Sequence, residues 1–278
     1  MQKKGRIGER SLDLFKKIGR RIHIDDRTLS CTIQELDIEL LLVRDDDISG
    51  FVEKGVCDLG IVGSDIVQET DANVAEVRRL GFGKCRFSIA LPGDSTVHTL
   101  SDLSGKTIAT SFPNILQTFL EKEKITCKII TMSGSVEIAP SIKLADAIAD
   151  IVSSGNTLIQ NGLKEFQKIS DFEAILIKNG HFDEEKKLTL DKLLMRIDAV
   201  IEAKKYKYIV MNIPKASLAI FTEMLGGIDG PTVSPLTNEK MLSFATVISE
   251  EEFWGDIEKL KALGASGILV MPIEKLIF

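Results

Sequence analysis

Gly134–Leu158 reads GSVEIAPSIKLADAIADIVSSGNTL, and three chemically different elements follow one another within it. A Gly134-Ser135 turn leads to Glu137. An apolar segment, Leu144–Val152, carries two acids, Asp146 and Asp150. A loop of small polar residues, Ser153-Ser154-Gly155-Asn156-Thr157, then closes on Leu158. The loop has what a phosphate group needs: a glycine that lets the backbone approach, hydroxyls that donate, and free amides if a helix starts there. The same composition also makes ordinary turns. Asp146 and Asp150 have the chemistry to hold ribose hydroxyls or a hydrated magnesium ion. An apolar strand ending in an acid, followed by a Ser/Thr-Gly-x-Thr loop, is one way of building a phosphoribosyl-diphosphate (PRPP) site.

An earlier stretch supports the strand reading. Val56-Cys57-Asp58-Leu59-Gly60-Ile61-Val62-Gly63-Ser64-Asp65 parallels Leu144–Ser153: in both, an acid opens a short apolar run that ends in a Gly/Ser turn. Helical periodicity can also be read over residues 142–153, which would place Asp146 and Asp150 on one helix face. The parallel favours strands. Two such units, about 90 residues apart, predict two similar lobes facing across a cleft, the layout of type II periplasmic-binding proteins, with strand ends and helix starts meeting the ligand.

The rest of the chain fits an α/β architecture. Strands are predicted at Asp58–Val62, Phe87–Leu91, Thr107–Thr110, Lys128–Thr131, Ala174–Ile177, Tyr208–Asn212, Phe244–Ile248 and Gly267–Pro272. Amphipathic helices are predicted at Arg10–Lys17, Ile115–Glu123, Leu188–Ala203, Lys215–Leu225 and Glu250–Leu263. Pro92-Gly93-Asp94 reads as a crossing between lobes, and residues 181–187, HFDEEKK, as a charged linker without apolar periodicity. The expected division is residues 1–91 and 174–187 for the first lobe and 92–173 for the second, which carries the phosphate loop. Residues 188–278 form a small ferredoxin-like module of the ACT kind, read as helix, strand, helix, turn, strand, helix, strand.

Composition narrows the function classes. With 278 residues and a net charge of −6, a nucleic-acid partner is disfavoured, since such proteins carry a basic footprint. Small anionic substrates need only a local positive pocket, and basic residues cluster at Lys3, Lys4 and Arg6 and again at Lys16, Lys17, Arg20 and Arg21. No membrane span is expected from hydropathy, nor a secretory signal from the polar start after Met1; the expectation is a cytoplasmic protein. Cys31, Cys57, Cys85 and Cys127 are widely spaced and read as free core thiols. His23, His98 and His181 are scattered and outline no metal cluster or catalytic triad.

The 134–158 stretch resembles the motif of the ATP phosphoribosyltransferase family, in which a GSVE(I/V)AP run precedes LADAI-x-D-(L/I)-V-S-(T/S)-G-x-T-L. Order and spacing match without a gap. Ser154 stands where threonine is frequent and Asn156 where alanine is; both keep the loop small and polar. Other stretches sit in family order: QKKGR near the start, VRDDDI at 43–48, DLGIVG at 58–63, LGFGKCR at 80–86, KTIATSFPN at 106–114 and NGLKE at 161–165. YIVMNIP, GPTVSPL and the ending LKALGASGILVMPIEKL resemble the C-terminal domain of the long form. One departure is the start: the family carries an apolar strand before QKKGR. Its loss would remove a sheet member, leave Lys4 without its anchor and put activity in doubt; a late-assigned start codon is the other reading.

The resemblance implies a glycosyltransferase that joins ATP and PRPP, feedback-inhibited by L-histidine and assembled as a homo-oligomer, dimer to hexamer. It implies Mg²⁺ on the leaving pyrophosphate, with no direct metal ligand assigned. Glu137, Asp150 and Lys4 are carried over as catalytic. Asp146, Asp150, Ser153, Ser154, Gly155, Asn156, Thr157 and Leu158 are expected to bind PRPP. Arg6 and Asp65 are expected near ATP, and Asn212, Thr232 and Gly267 around histidine. Arg44-Asp45-Asp46-Asp47 reads in part as a helix start. Three rival readings are an exported solute-binding protein, a catalytically idle amino-acid sensor, and a phosphoribosyltransferase with another acceptor base.

Overall fold

The computed structural model describes residues 1–19, 29–180 and 182–278; Arg20, Arg21, His23 and His181 lie outside the described residues. The chain divides into two compact units, Met1–Phe15 with Arg21–Leu188, and Lys16–Arg20 with Thr189–Phe278.

In the first unit, helix α1 (Arg6–Ile18) precedes a hairpin of β1 (Ser30–Ile33) and β2 (Ile38–Leu41). Helix α2 (Asp45–Glu53) follows; its first turn holds Asp45, Asp46 and Asp47, acids that the positive end of the helix dipole favours. Ile48 and Val52 are its buried anchors. Next come β3 (Leu59–Gly63), α3 (Ser64–Thr70) and β4 (Ala75–Arg79).

Strand β5 (Cys85–Pro92) then enters a second sheet, joined by β6 (Thr107–Thr110), α4 (Pro113–Glu123), β7 (Lys128–Thr131), β8 (Ala147–Val152), α5 (Asn156–Gln160) and β9 (Leu163–Phe172). The chain returns to the first sheet as β10 (Ala174–Lys178). The sheet orders are β3-β10-β4 and β7-β6-β8-β5-β9. β3 lies antiparallel beside the returning β10, and β8 antiparallel beside the entering β5. The two segments that resemble each other in sequence thus each form a strand antiparallel to one of the strands that link the lobes, β3 at a sheet edge and β8 in a sheet interior. Within 142–153, residues Ala147–Val152 form a strand and not a helix, because its side chains are buried on both faces of a central position.

Two sequence readings are corrected. β5, placed at the end of the first lobe, is an interior strand of the second sheet, paired on both edges. The second sheet therefore starts before Pro92-Gly93. Residues 181–187 are not all linker: helix α6 (Glu184–Ala203) begins within them. Exposed opening turns of a helix need no apolar periodicity, and Glu185 suits the N-terminal end.

The second sheet is filled by Phe87, Ile89, Leu91, Leu103, Ile108, Ile115, Leu116 and Leu120 on one face. The other face packs Ala90, Val136, Ala139, Ile148, Val152, Leu158 and Leu163. Glu69 of α3 joins the lobes: its carboxylate accepts the backbone N–H groups of Asn114 and Ile115 at 3.0 Å each, capping α4. Asn114 Nδ2 donates back to the Glu69 carbonyl at 2.8 Å.

In the second unit, β11 (Tyr206–Pro214), α7 (Leu218–Met224), β12 (Thr232–Pro235), β13 (Met241–Ser249), α8 (Glu250–Ala262) and β14 (Ser266–Pro272) follow α6. The antiparallel sheet runs β12-β13-β11-β14. Ser249 and Glu252 form a capping box at the start of α8, with bonds of 3.1 and 2.9 Å. GPTVSP continues from Gly230-Pro231 into edge strand β12; an edge tolerates Pro235 because its missing N–H is not needed by a neighbour.

Candidate active site

β8 has an apolar run, AIADIV, with Asp150 as its polar exception. Asp150 pairs with Ser88 of β5, and Val152 with Arg86, so these four residues share one sheet face. That face also carries the Glu137 turn and the Ser153–Thr157 loop, since Val136, Val152 and Leu158 pack in one cluster.

The loop is clamped at both ends. Val152 is 3% and Leu158 7% exposed, while Ser153, Ser154, Asn156 and Thr157 face solvent. The Leu158 side chain is therefore an anchor, leaving its backbone to any ligand. Gly155 takes a left-handed φ of 83° and starts α5. Its place is forced by that φ, which a side chain strongly disfavours.

Glu137 is presented by a second tight turn, with φ 131° at Gly134 and 50° at Ser135, held by buried Val136 and Ala139 on either side. Its charge reaches Asp150. The Asp150 carboxyl is pushed up to about 6, chiefly by burial and also by the nearby Glu137 carboxylate, against the Ile151 N–H (2.7 Å), which works in the opposite direction. A group that resists ionising gains most from a ligand that donates hydrogen bonds or brings positive charge.

Arg86 lies alongside. Its Nε and Nη2 donate to Glu165 at 2.6 and 2.5 Å, and its Nη1 to the Ser153 carbonyl at 3.1 Å. Buried Ser88 donates to Glu165 at 2.7 Å. The Arg86 guanidinium and the Ser88 hydroxyl hold the Glu165 carboxyl below its usual range.

The structure does not bring Asp146 to this site. Asp146 precedes the N-terminal end of β8, four residues from Asp150 and so roughly 13 Å away along an extended strand. Its carboxylate accepts the Thr107 N–H at 2.8 Å, which ties β8 to β6. The helical reading of 142–153, which placed both acids on one face, is thereby replaced by a strand that carries Asp150 toward the loop and leaves Asp146 at its other end.

Lys4 and Arg6 are exposed at the start of α1. Arg6 and Asp65 both act electrostatically on Cys85, whose thiol burial pushes up to about 11, with Asp65 raising it and Arg6 lowering it. These two residues are thereby neighbours of the start of β5. Asp65 is itself raised, first by burial. In the second unit, Asn212 (β11) and Thr232 (β12) lie on one face of the sheet, opposite buried Met211 and Phe244. Gly267 approaches Asn212: a Cβ there would meet Asn212 Nδ2 at 3.2 Å.

Ser88, Arg86 and Glu165 were given no role from sequence. The available signal lay in LGFGKCR and NGLKE, which end on Arg86 and Glu165. Among the described residues no group of three or more His, Cys, Asp or Glu side chains forms a metal-holding cluster, and no helix is long and apolar enough to cross a membrane.

The ATP phosphoribosyltransferase family model matches residues 44–199, and the model of that family's C-terminal domain matches residues 203–275. The ATP phosphoribosyltransferase of Cytophaga hutchinsonii is 46% identical over all of this chain and 97% of its own length. That of Phocaeicola vulgatus is 47% identical, over all of this chain and 98% of its own. Among solved structures, the ATP phosphoribosyl transferase (HisG:HisZ) complex from Thermotoga maritima superimposes with a TM-score of 0.62 at 28% identity, covering 72% of this chain and 96% of that one.

Proposed function

This chain belongs to the ATP phosphoribosyltransferase family, an enzyme of the first step of histidine biosynthesis that transfers phosphoribosyl from PRPP to N1 of ATP, and from that premise we propose how its residues divide the work. The observation that carries the proposal is Asp150: a half-buried acid in the last half of strand β8, three residues before a Ser-Ser-Gly-Asn-Thr loop whose hydroxyl and amide side chains face solvent.

The N1 lone pair of adenine forms a bond to the anomeric carbon of PRPP. The bond from that carbon to pyrophosphate breaks, and its electron pair leaves with the pyrophosphate. N1 carries no proton, so no general base is required. The ribose passes through a state with oxocarbenium character, and the cleft has three tasks: hold the 5′-phosphate, orient the ribose and align two anionic substrates.

Ser153, Ser154, Gly155, Asn156 and Thr157 take the 5′-phosphate through hydroxyls and backbone amides. Asp150 accepts hydrogen bonds from the ribose hydroxyls, which draw it into its ionised form. Glu137, on the opposite turn, orients ribose or adenine. Lys4 and Arg6 supply positive charge for the polyphosphates, and Asp65 approaches the nucleotide from the first lobe. Mg²⁺ fits this donor set: Asp150 and Glu137 are oxygen donors too few to cage the ion alone, as suits Mg²⁺ carried mainly by substrate phosphates. When bound it neutralises charge developing on the pyrophosphate.

The second unit is proposed to sense L-histidine through Asn212, Thr232 and Gly267. Homo-oligomerisation, from dimer to hexamer, is supported by the apolar surface its β14 leaves exposed, Leu269 at 59% and Met271 at 39%.

The test is the ultraviolet absorbance rise of phosphoribosyl-ATP. It should require ATP, PRPP and Mg²⁺ together, vanish with a chelator, return with added Mg²⁺ and fall with excess L-histidine. A rate indifferent to histidine removes the sensor assignment and leaves the transferase. No transfer with all three present overturns the residue assignments of the cleft.

A further inference from the structure

Arg86 and Glu165 are 79 residues apart in sequence and meet as a bidentate pair. Each side chain is about one-third exposed, at 32% and 29%, and a solvated ion pair of that kind contributes little. This pair is not left to solvent. Both Glu165 oxygens are occupied by Arg86 Nε and Nη2, and Oε1 also accepts the Ser88 hydroxyl at 2.7 Å. Ser88 is fully buried. A planar guanidinium held by two parallel bonds has its other donor directions fixed as well. One of them, Nη1, reaches the carbonyl of Ser153, the first residue of the loop, at 3.1 Å.

The consequence follows from peptide geometry. In a planar trans peptide the C=O of one residue and the N–H of the next point in opposite directions. Drawing the Ser153 carbonyl onto Arg86 therefore aims the Ser154 N–H away from it. Ser154 is exposed and next to Gly155.

We propose that Arg86 is a positioning residue of the phosphate loop: braced by Glu165 and Ser88, it fixes the Ser153–Ser154 peptide plane so that the Ser154 amide is presented to the 5′-phosphate of PRPP. This rests on the assignment of the loop to PRPP. Arg86 does not itself neutralise the phosphate, because its charge is matched by Glu165.

That balance separates geometry from charge. Glu165→Gln leaves Arg86 uncompensated and makes the site more positive, so a purely electrostatic role makes PRPP bind more tightly. A positioning role makes it bind more weakly. Calorimetric titration of the full chain with PRPP should show Arg86→Gln weakening binding about 10- to 50-fold and Glu165→Gln about 3- to 10-fold, the range for hydrogen bonds to charged groups. Arg86→Lys should not rescue, since an ammonium cannot form the fork. The double variant should be little worse than Arg86→Gln, because the two residues act as one unit. In turnover, the KM for PRPP should rise while kcat and the KM for ATP change less than about threefold.

Ser88→Ala, which alters no charge, reads the same effect in milder form should Arg86→Gln unfold. Tighter binding in Glu165→Gln, full rescue by Arg86→Lys, or wild-type affinity in folded Arg86→Gln overturns the proposal. Wild-type protein that binds PRPP without transferring it defeats the assigned mechanism while the titration still decides Arg86. Wild-type protein that binds no PRPP defeats both.

Discussion

Replacing Asp150 with asparagine is expected to abolish phosphoribosyl transfer and, at neutral pH, to make the chain harder to unfold. The kinetic loss should be at least about 100-fold in kcat/KM for PRPP, the scale of removing a charged hydrogen-bonding partner from an enclosed site. The gain in stability comes from the same burial. The folded chain holds the Asp150 proton to about 6, against an ordinary value of 3.8, chiefly because the carboxyl is buried and secondly because Glu137 faces it.

Its sign is fixed by linkage. Between about pH 4 and 6 the folded state binds more protons than the unfolded one, so stability falls as pH rises through that window. Above it the full cost remains, at most about 3 kcal/mol. Asp150→Asn escapes that cost. Its melting temperature should exceed wild type by several degrees at pH 7.5, given roughly 2–4 °C per kcal/mol for chains of this size. The gap should close below pH 4, where Asp150 is protonated in both states. Melting curves at the two pH values, beside PRPP kinetics, check both halves. Wild-type kinetics in this variant would falsify the role of Asp150; a melting gap independent of pH would show that burial is not the source of its shift.

The second large effect concerns Gly155. Its φ of 83° costs an ordinary side chain about 1–2 kcal/mol, and a β-branched residue more. Space is not the obstacle, since a Cβ would find only Val152 Cγ1, at 3.9 Å. Gly155→Val should therefore move the loop backbone rather than the core. We expect a fall of about 100-fold or more in PRPP affinity, as when preorganised donors are misaimed. The KM for ATP and the urea midpoint of the second unit should stay near wild type. Gly155→Asn is the internal control, because asparagine tolerates the left-handed region; it should recover most of the affinity. If the valine variant binds PRPP as well as wild type, the loop backbone does not contact the phosphate.

Much of this enzyme is written locally. The Ser153–Thr157 loop, the strand before it and the repeat at Val56–Asp65 are read from adjacent residues, because turn chemistry and side-chain alternation act over a few positions. The order of such stretches was enough to identify the family. What remained hidden is what strands decide when they pair. Asp146 and Asp150 look alike in sequence, yet one braces β6 and the other ends beside the loop. The raised proton affinity of Asp150 depends on burial in a sheet and on the charge of Glu137, brought near from another segment. Arg86 and Glu165 belong to different stretches and meet only because β5 and β9 are neighbours. Sequence alone determined the α/β class, the loop and the reaction. Only the tertiary structure decided that Asp146 is bonded to the Thr107 N–H and that Arg86, braced by Glu165, holds the Ser153 carbonyl, since cross-strand contact is a property of chain segments that local pattern does not join.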